Sequence, residues 1–322
     1  MRKQVYRLAK NYKKLLFEAV ENIEHPVNRK SIRDELKQSE FIGSTQGGME
    51  IYLFDYRSNS SVIREIGRLR ELLFRQLHEG TGKSIDEFDR YYRHQVLWDD
   101  KQLGIIGTYR IGEGMRILAQ HGIQGFYTNT LFELQGDMVS DLEKSIELGR
   151  SFIQPRCWGK RSLDYLWYGI SAYLQRHPQV KYMIGPVILS ATYPEAARHE
   201  IVNFYQQLFC NNQSLVKPRL PYDYPVTREY AEFQLVNQES EYKLAYSRLK
   251  QKLDLLRVRV QTLFKQYVEL CELGGCELLE LNVDPEFSNC IDAMILVHID
   301  AVYEKNPDRY INVHNARVEQ AA

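Results

Sequence analysis

Apolar residues recur at the helical period over residues 61–79, where Val62, Ile66, Leu69, Leu73 and Leu77 share one face. Arg64, Arg68 and Arg75 point away from that face. Arg70 does not: it falls inside the apolar arc, between Ile66, Leu73, Phe74 and Leu77. Burying a cation is costly unless a partner meets it, so position 70 is the first mark of a site. Residues 1–20 also read as a helix, with Val5, Leu8, Leu15 and Leu16 among Arg2, Lys3, Arg7, Lys10, Lys13 and Lys14. A basic amphipathic helix either docks with its charges solvated or contacts an anionic membrane surface.

A short helix is expected in residues 30–48, ending at Gly47-Gly48, followed by a strand over Glu50–Tyr56. Strand-like runs follow at Gln95–Trp98, Leu103–Arg110 and Ile146–Ile153. Leu163, Leu166, Trp167, Ile170, Tyr173 and Leu174 mark a helix with a broad apolar face. Tyr182–Leu189 reads as a strand, residues 192–210 and 240–272 as helices, and Glu277–Val283 and Ile291–Val302 as the last strands. Pro186 cannot donate to a ladder, so its strand lies at an edge or parts from a neighbour there. No repeat or low-complexity linker interrupts this alternation. The reading is one α+β domain with a mixed central sheet over residues 49–305. A helical N-terminal extension (1–48), a helical insertion (about 192–272) and a polar tail (306–322) complete it.

The 322 residues suffice for a sizeable core, and 44% hydrophobic with 26% charged residues is ordinary for a globular chain. Lys plus Arg equals Asp plus Glu at 42 each, which disfavours nucleic acid as the main partner. No secretory leader and no membrane-spanning apolar run is read, and a cytoplasmic location is expected. Cys157, Cys210, Cys271, Cys276 and Cys290 fit reduced thiols; Cys271 and Cys276 lack a second ligand pair at matching spacing, so no metal is expected.

Two further segments carry chemistry. Asp86-Glu87-Phe88-Asp89 offers the nearest carboxylates in sequence to Arg70. Glu147-Leu148-Gly149-Arg150 then runs into Gln154-Pro155-Arg156-Cys157-Trp158-Gly159-Lys160-Arg161 and a helix. A basic, glycine-containing turn before a helix N-terminus suits an anion of the phosphate kind. Strand alternation separates Glu147 from Arg150; a bulge at Gly149 brings both to one side. If the strand of Pro186 parts from its neighbour, the slot between them fits a thin extended ligand arm.

The combination resembles the GNAT acyltransferases, and within them the acyl-carrier-protein-dependent branch. That branch holds the N-acyltransferases of ornithine- and glycine-lipid synthesis, often labelled hemolysin-like, and more distantly the acyl-homoserine-lactone synthases. The matching stretches are RELLF at Arg70–Phe74, DEFD at Asp86–Asp89, GTYR at Gly107–Arg110, FYTNTLFEL at Phe126–Leu134, ELGRSFIQP at Glu147–Pro155, LWYGI at Leu166–Ile170 and FSNCID at Phe287–Asp292. Their order and spacing, over roughly residues 50–300, carry the likeness.

The resemblance implies a GNAT fold and transfer of a long-chain fatty acyl group from acyl carrier protein to an amino acid's amine. It implies no tightly bound cofactor; the co-substrate is the carrier's acyl-phosphopantetheine, with acyl-CoA as the alternative. Arg70, Asp86, Asp89 and Arg110 look like the charged core set of the lactone synthases, with Phe74 beside it, and Glu147 with Arg150 like their Glu-x-x-Arg pair. Ser84 stands where those synthases are acidic, which sets this chain apart from lactone formation. Arg161 stands where users of acetyl-CoA carry a small residue, which favours a donor with a single phosphate.

On this reading Glu147 takes the amine proton and Arg150 holds the acceptor's carboxylate, roles that Asp86 or Asp89 can exchange with them. Backbone N–H groups near Leu148–Phe152 meet the oxyanion. Arg156, Gly159, Lys160 and Arg161 meet the donor's phosphate, and Phe126, Phe132 and Trp167 line an acyl tunnel. Against it stand an acetyl-CoA-dependent acetyltransferase, a degenerate scaffold used for binding, and a purely structural ion network at positions 70, 86, 89 and 110.

Overall fold

A computed structural model describes residues 22–77, 84–210, 214–233 and 239–302. The expected helix over residues 1–20 and the tail lie outside them.

Nine helices and ten strands follow in chain order among the described residues: α1 (Arg29–Lys37), β1 (Glu40–Ser44), β2 (Glu50–Phe54), α2 (Ser61–Gln76), β3 (Arg93–Asp99), β4 (Gly104–Glu113), α3 (Gly114–His121), α4 (Thr128–Leu131), β5 (Phe132–Leu134), α5 (Asp137–Asp141), β6 (Ser145–Ile153), α6 (Ser162–Arg176), β7 (Tyr182–Leu189), α7 (Glu195–Phe209), β8 (Val216–Pro218), α8 (Glu239–Leu255), α9 (Thr262–Glu269), β9 (Cys276–Asp284) and β10 (Cys290–His298). Eight strands form one mixed sheet in the order β1-β2-β3-β4-β6-β7-β10-β9, and β5 pairs with β8 apart from it.

The helix expected in residues 30–48 stops at Lys37, and the apolar pair Phe41-Ile42 enters the sheet as β1 instead. The helix expected over 240–272 is two helices, broken where Arg257 takes a left-handed φ of 57°. The α2 helix forms as its period predicts. Ser60 caps it, accepting from the N–H groups of Val62 and Ile63, and Glu35 of α1 accepts from Ser60 Oγ at 2.5 Å and Ser61 N at 2.8 Å. This clamp fixes α2 against α1.

Helices cover both faces of the sheet, and alternation along each strand sorts the core. Ile146, Leu148, Met183 and Val187 join the cluster beneath α6 and α7. On the opposite face are two separate apolar clusters. One holds Ile66, Leu73, Phe74 and Phe152; the other holds Phe126, Phe132, Ile184 and Met294. The charged residues of the next section occupy the seam between these two clusters.

Every neighbouring pair in the sheet is antiparallel except β6 with β7, which run parallel and pair only at Ser145↔Tyr182, Ile146↔Met183 and Glu147↔Ile184. Beyond that point the two strands part, while β7 stays paired to β10 from Tyr182 to Leu189. Two residues explain the parting. Gly185, at a φ of 152°, lies so near Leu148 that a Cβ would come within 2.2 Å of its carbonyl oxygen. Pro186 then offers no N–H with which to continue the ladder.

Candidate functional site

Arg70 finds the partner its position demands. Its Nη1 and Nη2 donate to Asp89 Oδ1 and Oδ2 at 2.9 and 2.5 Å, and Nη2 also donates to the Ser84 carbonyl at 2.8 Å. Arg110 donates to Asp86 Oδ1 at 2.6 Å and to Asp89 Oδ1 at 3.2 Å. The two aspartates also cap each other's backbone, Asp86 N to Asp89 Oδ2 and Asp89 N to Asp86 Oδ1. Burial pushes the Asp89 carboxyl up, but the Arg70 and Arg110 guanidiniums overcome it and hold it well below the usual carboxylate range. Burial likewise opposes, and Arg110 decides, the lowering of Asp86. His94 sits beside Arg110 in register, donates from Nε2 to the Asp89 carbonyl at 3.1 Å, and is pushed down by burial.

A bulge in β6 arranges the rest. Thr108 faces Phe152 and Arg110 faces Gly149, so Arg150 and Ser151 are the looped-out residues and Arg150 takes a left-handed φ of 49°. The bulge falls one residue after the expected Gly149, which stays in the ladder. Its effect is the expected one: Glu147 and Arg150 address the same face, since each reaches the Tyr92–Tyr127 side of the sheet.

The two members of the pair then differ. Glu147 is buried, and its carboxylate accepts from Tyr92 Oη and Thr128 Oγ1, from Tyr127 N at 3.0 Å and from Thr128 N at 2.6 Å. It anchors the start of α4 and does not line the pocket described below. Burial pushes its carboxyl up against the pull of those hydrogen bonds. The expectation that Glu147 takes a substrate proton is therefore corrected: its acceptor oxygens are taken up by the scaffold. Among the described residues Arg150 has one ion pair, Nη2 to Asp86 Oδ2 at 3.2 Å, and its guanidinium lies 5.3 Å from the Tyr127 ring centroid and 4.6 Å from that of Phe287. Its Nε is buried and makes no hydrogen bond among the described residues. Burial, reinforced by Arg110 and Arg70, pushes the Arg150 guanidinium down.

A pocket of about 860 Å³ passes through the gap between β6 and β7. Leu73, Phe74, Tyr127, Arg150 and Asp292 wall it on the α2 side. Tyr109, Leu163, Leu263, Gln266 and Tyr267 wall it on the α6 and α9 side. The break between α8 and α9 supplies Arg259 and Val260 to its rim. Gly159 and Lys160 of the basic turn reach it, but the other two cations do not. Arg156 donates to Gln102 Oε1 at 3.1 Å, and Arg161 turns to Tyr168 and Tyr165.

Phe126 and Phe132 lie in the apolar cluster under β10, and Trp167 packs behind Tyr109 and Tyr267, so none of the three lines the pocket as expected of an acyl tunnel. Arg70, Asp86, Asp89 and Arg110 stand behind Arg150 and brace it. Sequence reasoning passed over Tyr127, Phe287 and Asp292 as individual residues. A lone carboxylate inside the apolar run Cys290–Val297 was the available signal for the last, of the same kind as Arg70 in its helix.

A family profile described as an acetyltransferase (GNAT) domain matches residues 69–168, a span that holds the whole charged set and β6. Residues 69–168 are a GNAT domain. Two relatives match across nearly the whole length of the chain, both bearing the name glycine N(alpha)-acyltransferase. That of Bacteroides thetaiotaomicron is 28% identical over 91% of this chain and 90% of its own, and that of Phocaeicola vulgatus 27% identical over 91% and 93%. The L-ornithine N(alpha)-acyltransferase of Brucella abortus is 28% identical over 47% of this chain and 56% of its own. Among solved structures, a CoA-dependent acyl-homoserine lactone synthase with SAM and isopentyl-CoA is similar over 48% of this chain and 72% of its own, at 10% identity and a TM-score of 0.30. No described helix of the acyltransferase is long and apolar enough to cross a membrane.

Proposed function

We propose that this acyltransferase moves a long-chain fatty acyl group from the phosphopantetheine thioester of acyl carrier protein onto the α-amine of glycine, the first step toward an aminolipid. The observation that carries the reading is the pocket through the parted strands with Arg150 on its wall. An extended thioester arm lies along the free edges of β6 and β7, where backbone groups beyond Glu147↔Ile184 are available to it. Its acyl chain fills apolar space that an acetyl group leaves mostly empty. Lys160, the one cation of the basic turn on the pocket wall, matches the single phosphate of a carrier arm.

The chemistry needs a held carbonyl, a positioned amine and a site for the oxyanion. The bulge at Arg150-Ser151 turns backbone toward the gap and supplies the last. Arg150 receives the acceptor's carboxylate, since a guanidinium with a free Nε–H offers a charge-assisted donor. The amine then attacks the thioester carbon, the C–N bond forms as C–S breaks, and the thiol leaves. Full-length similarity to two proteins named for glycine supports glycine over ornithine as acceptor. A cytoplasmic enzyme working at the inner face of the membrane, where its product collects, fits this role.

The test is direct. Purified protein is given glycine with a hexadecanoyl carrier protein, hexadecanoyl-CoA or acetyl-CoA, and products are read by mass spectrometry. The reading expects N-acylglycine, fastest from the carrier. Turnover confined to acetyl-CoA, or no amide from any donor, overturns it.

A further inference from the structure

On the α2 side of the pocket a second ionisable side chain faces the acceptor space. Asp292 lies on β10, opposite Ile188 of β7 and Asn282 of β9. Its strand neighbours on that face, Cys290 and Met294, belong to the two different apolar clusters, so Asp292 sits in the seam between them. The residue is 2% exposed and lines the pocket with Arg150. Tyr127 links the two: its ring lies against the Arg150 guanidinium, and the charges of Arg150 and Asp292 act on its phenol in opposite directions, within a rise set mainly by burial. Asp284, whose charge also acts on Tyr127, does not line the pocket and accepts from Glu286 N at 2.8 Å and Phe287 N at 3.3 Å.

An α-amino acid arrives as a zwitterion, and on the α2 side of the pocket Arg150 and Asp292 match its two charges, away from Lys160, Asp164 and Arg259 of the remaining wall. Resting on the proposed N-acyl transfer, we propose that Asp292 is the residue that receives the acceptor's ammonium group and takes the proton it must shed before attack, with Arg150 holding the carboxylate. The proton count closes. One ammonium proton passes to Asp292, the neutral amine attacks the thioester carbon, and the second proton leaves with the sulfur as thiol. Glu147, Asp86 and Asp89 then need no exchange with substrate. The two charged side chains also set the length of the acceptor, selecting α-amino acids over amines without a carboxylate.

The experiment compares the wild type with Asp292→Asn, Asp292→Glu and Arg150→Lys, each checked for an unchanged thermal midpoint. Glycine and glycinamide are the acceptors, with a hexadecanoyl thioester as donor. Asp292→Asn is expected to lower kcat/KM on both acceptors by roughly 10²-fold or more, while keeping the preference for glycine over glycinamide. Its rate should go on climbing with pH after the wild type has levelled, because solvent must now take the proton. Asp292→Glu should recover part of the loss, and Arg150→Lys should instead erode the glycine preference. An Asp292→Asn enzyme within about threefold of wild type, with the same pH profile, overturns the assignment. Calorimetric titration with glycine and with glycolate, which lacks the ammonium, separates this assignment from the donor chemistry. Wild type should favour glycine and Asp292→Asn should lose that preference, even if no thioester tested is turned over. A wild type that binds the two alike overturns the assignment.

Discussion

Glu147 and Arg150 lie three residues apart on one strand and on one face of the sheet, yet they belong to different regions. Up to Glu147, β6 is paired on both edges, and the carboxylate there is enclosed by Tyr92, Tyr127 and Thr128. From Arg150 onward β6 is paired on one edge among the described residues, and none of them accepts from the buried Nε of the guanidinium there. Both are charged groups in low-dielectric surroundings. One is fully partnered and holds the fold; the other is partly partnered and faces a pocket. What separates scaffold from site is whether the protein itself completes the partners.

Substitutions should sort along that line, and stability measured by denaturant unfolding ranks them. Asp89→Ala strands Arg70 in the core and should lose about 3–5 kcal/mol, the price of an uncompensated buried charge. Glu147→Ala takes an acceptor from two hydroxyls and two N–H groups, of which Tyr92 Oη keeps Gly125 O and Tyr127 N keeps Tyr92 Oη, and should lose about 2–3 kcal/mol. Gly185→Ala drives a Cβ into the Leu148 carbonyl and should lose about 1–3 kcal/mol while widening the gap. Arg150→Ala removes a cation that burial, with Arg110 and Arg70, disfavours, and Asp86 keeps Arg110 as its partner, so it should cost clearly less stability than Asp89→Ala. It should nonetheless lower acyl transfer by about 10²-fold. If Arg150→Ala unfolds the protein as Asp89→Ala does, the division between site and scaffold fails.

Acid sharpens the same contrast. The folded values of Asp86 and Asp89 lie below their unfolded ones, so their contribution is present above about pH 4 and is lost as pH falls through the folded values. Unfolding followed from pH 6 downward should show this loss, and Asp89→Asn should flatten it.

Much of this was legible beforehand. An arginine inside an apolar arc announced its partners, and a proline inside a strand announced the parting of β6 from β7. Both are violations of a local rule, and such violations mark functional regions. The tunnel walls were not legible, because Phe126, Phe132 and Trp167 have the same composition as Tyr127, Phe287 and Tyr267. Which aromatic faces a gap is decided by packing between segments distant in sequence. The role of Glu147 was misread for a related reason: the residues that enclose it come from positions 92, 127 and 128, and no spacing on β6 reports them. Asp292 carried the same signal as Arg70 and was readable by the same rule.

The most direct test of the central claim is a crystal structure with a stable, unreactive analogue of hexadecanoyl-phosphopantetheine. The arm should lie between β6 and β7, with its carbonyl at the Arg150-Ser151 bulge and its chain among Leu163, Leu263 and Tyr267. An arm bound elsewhere, with those two strands closed on each other past Gly185, would contradict the account.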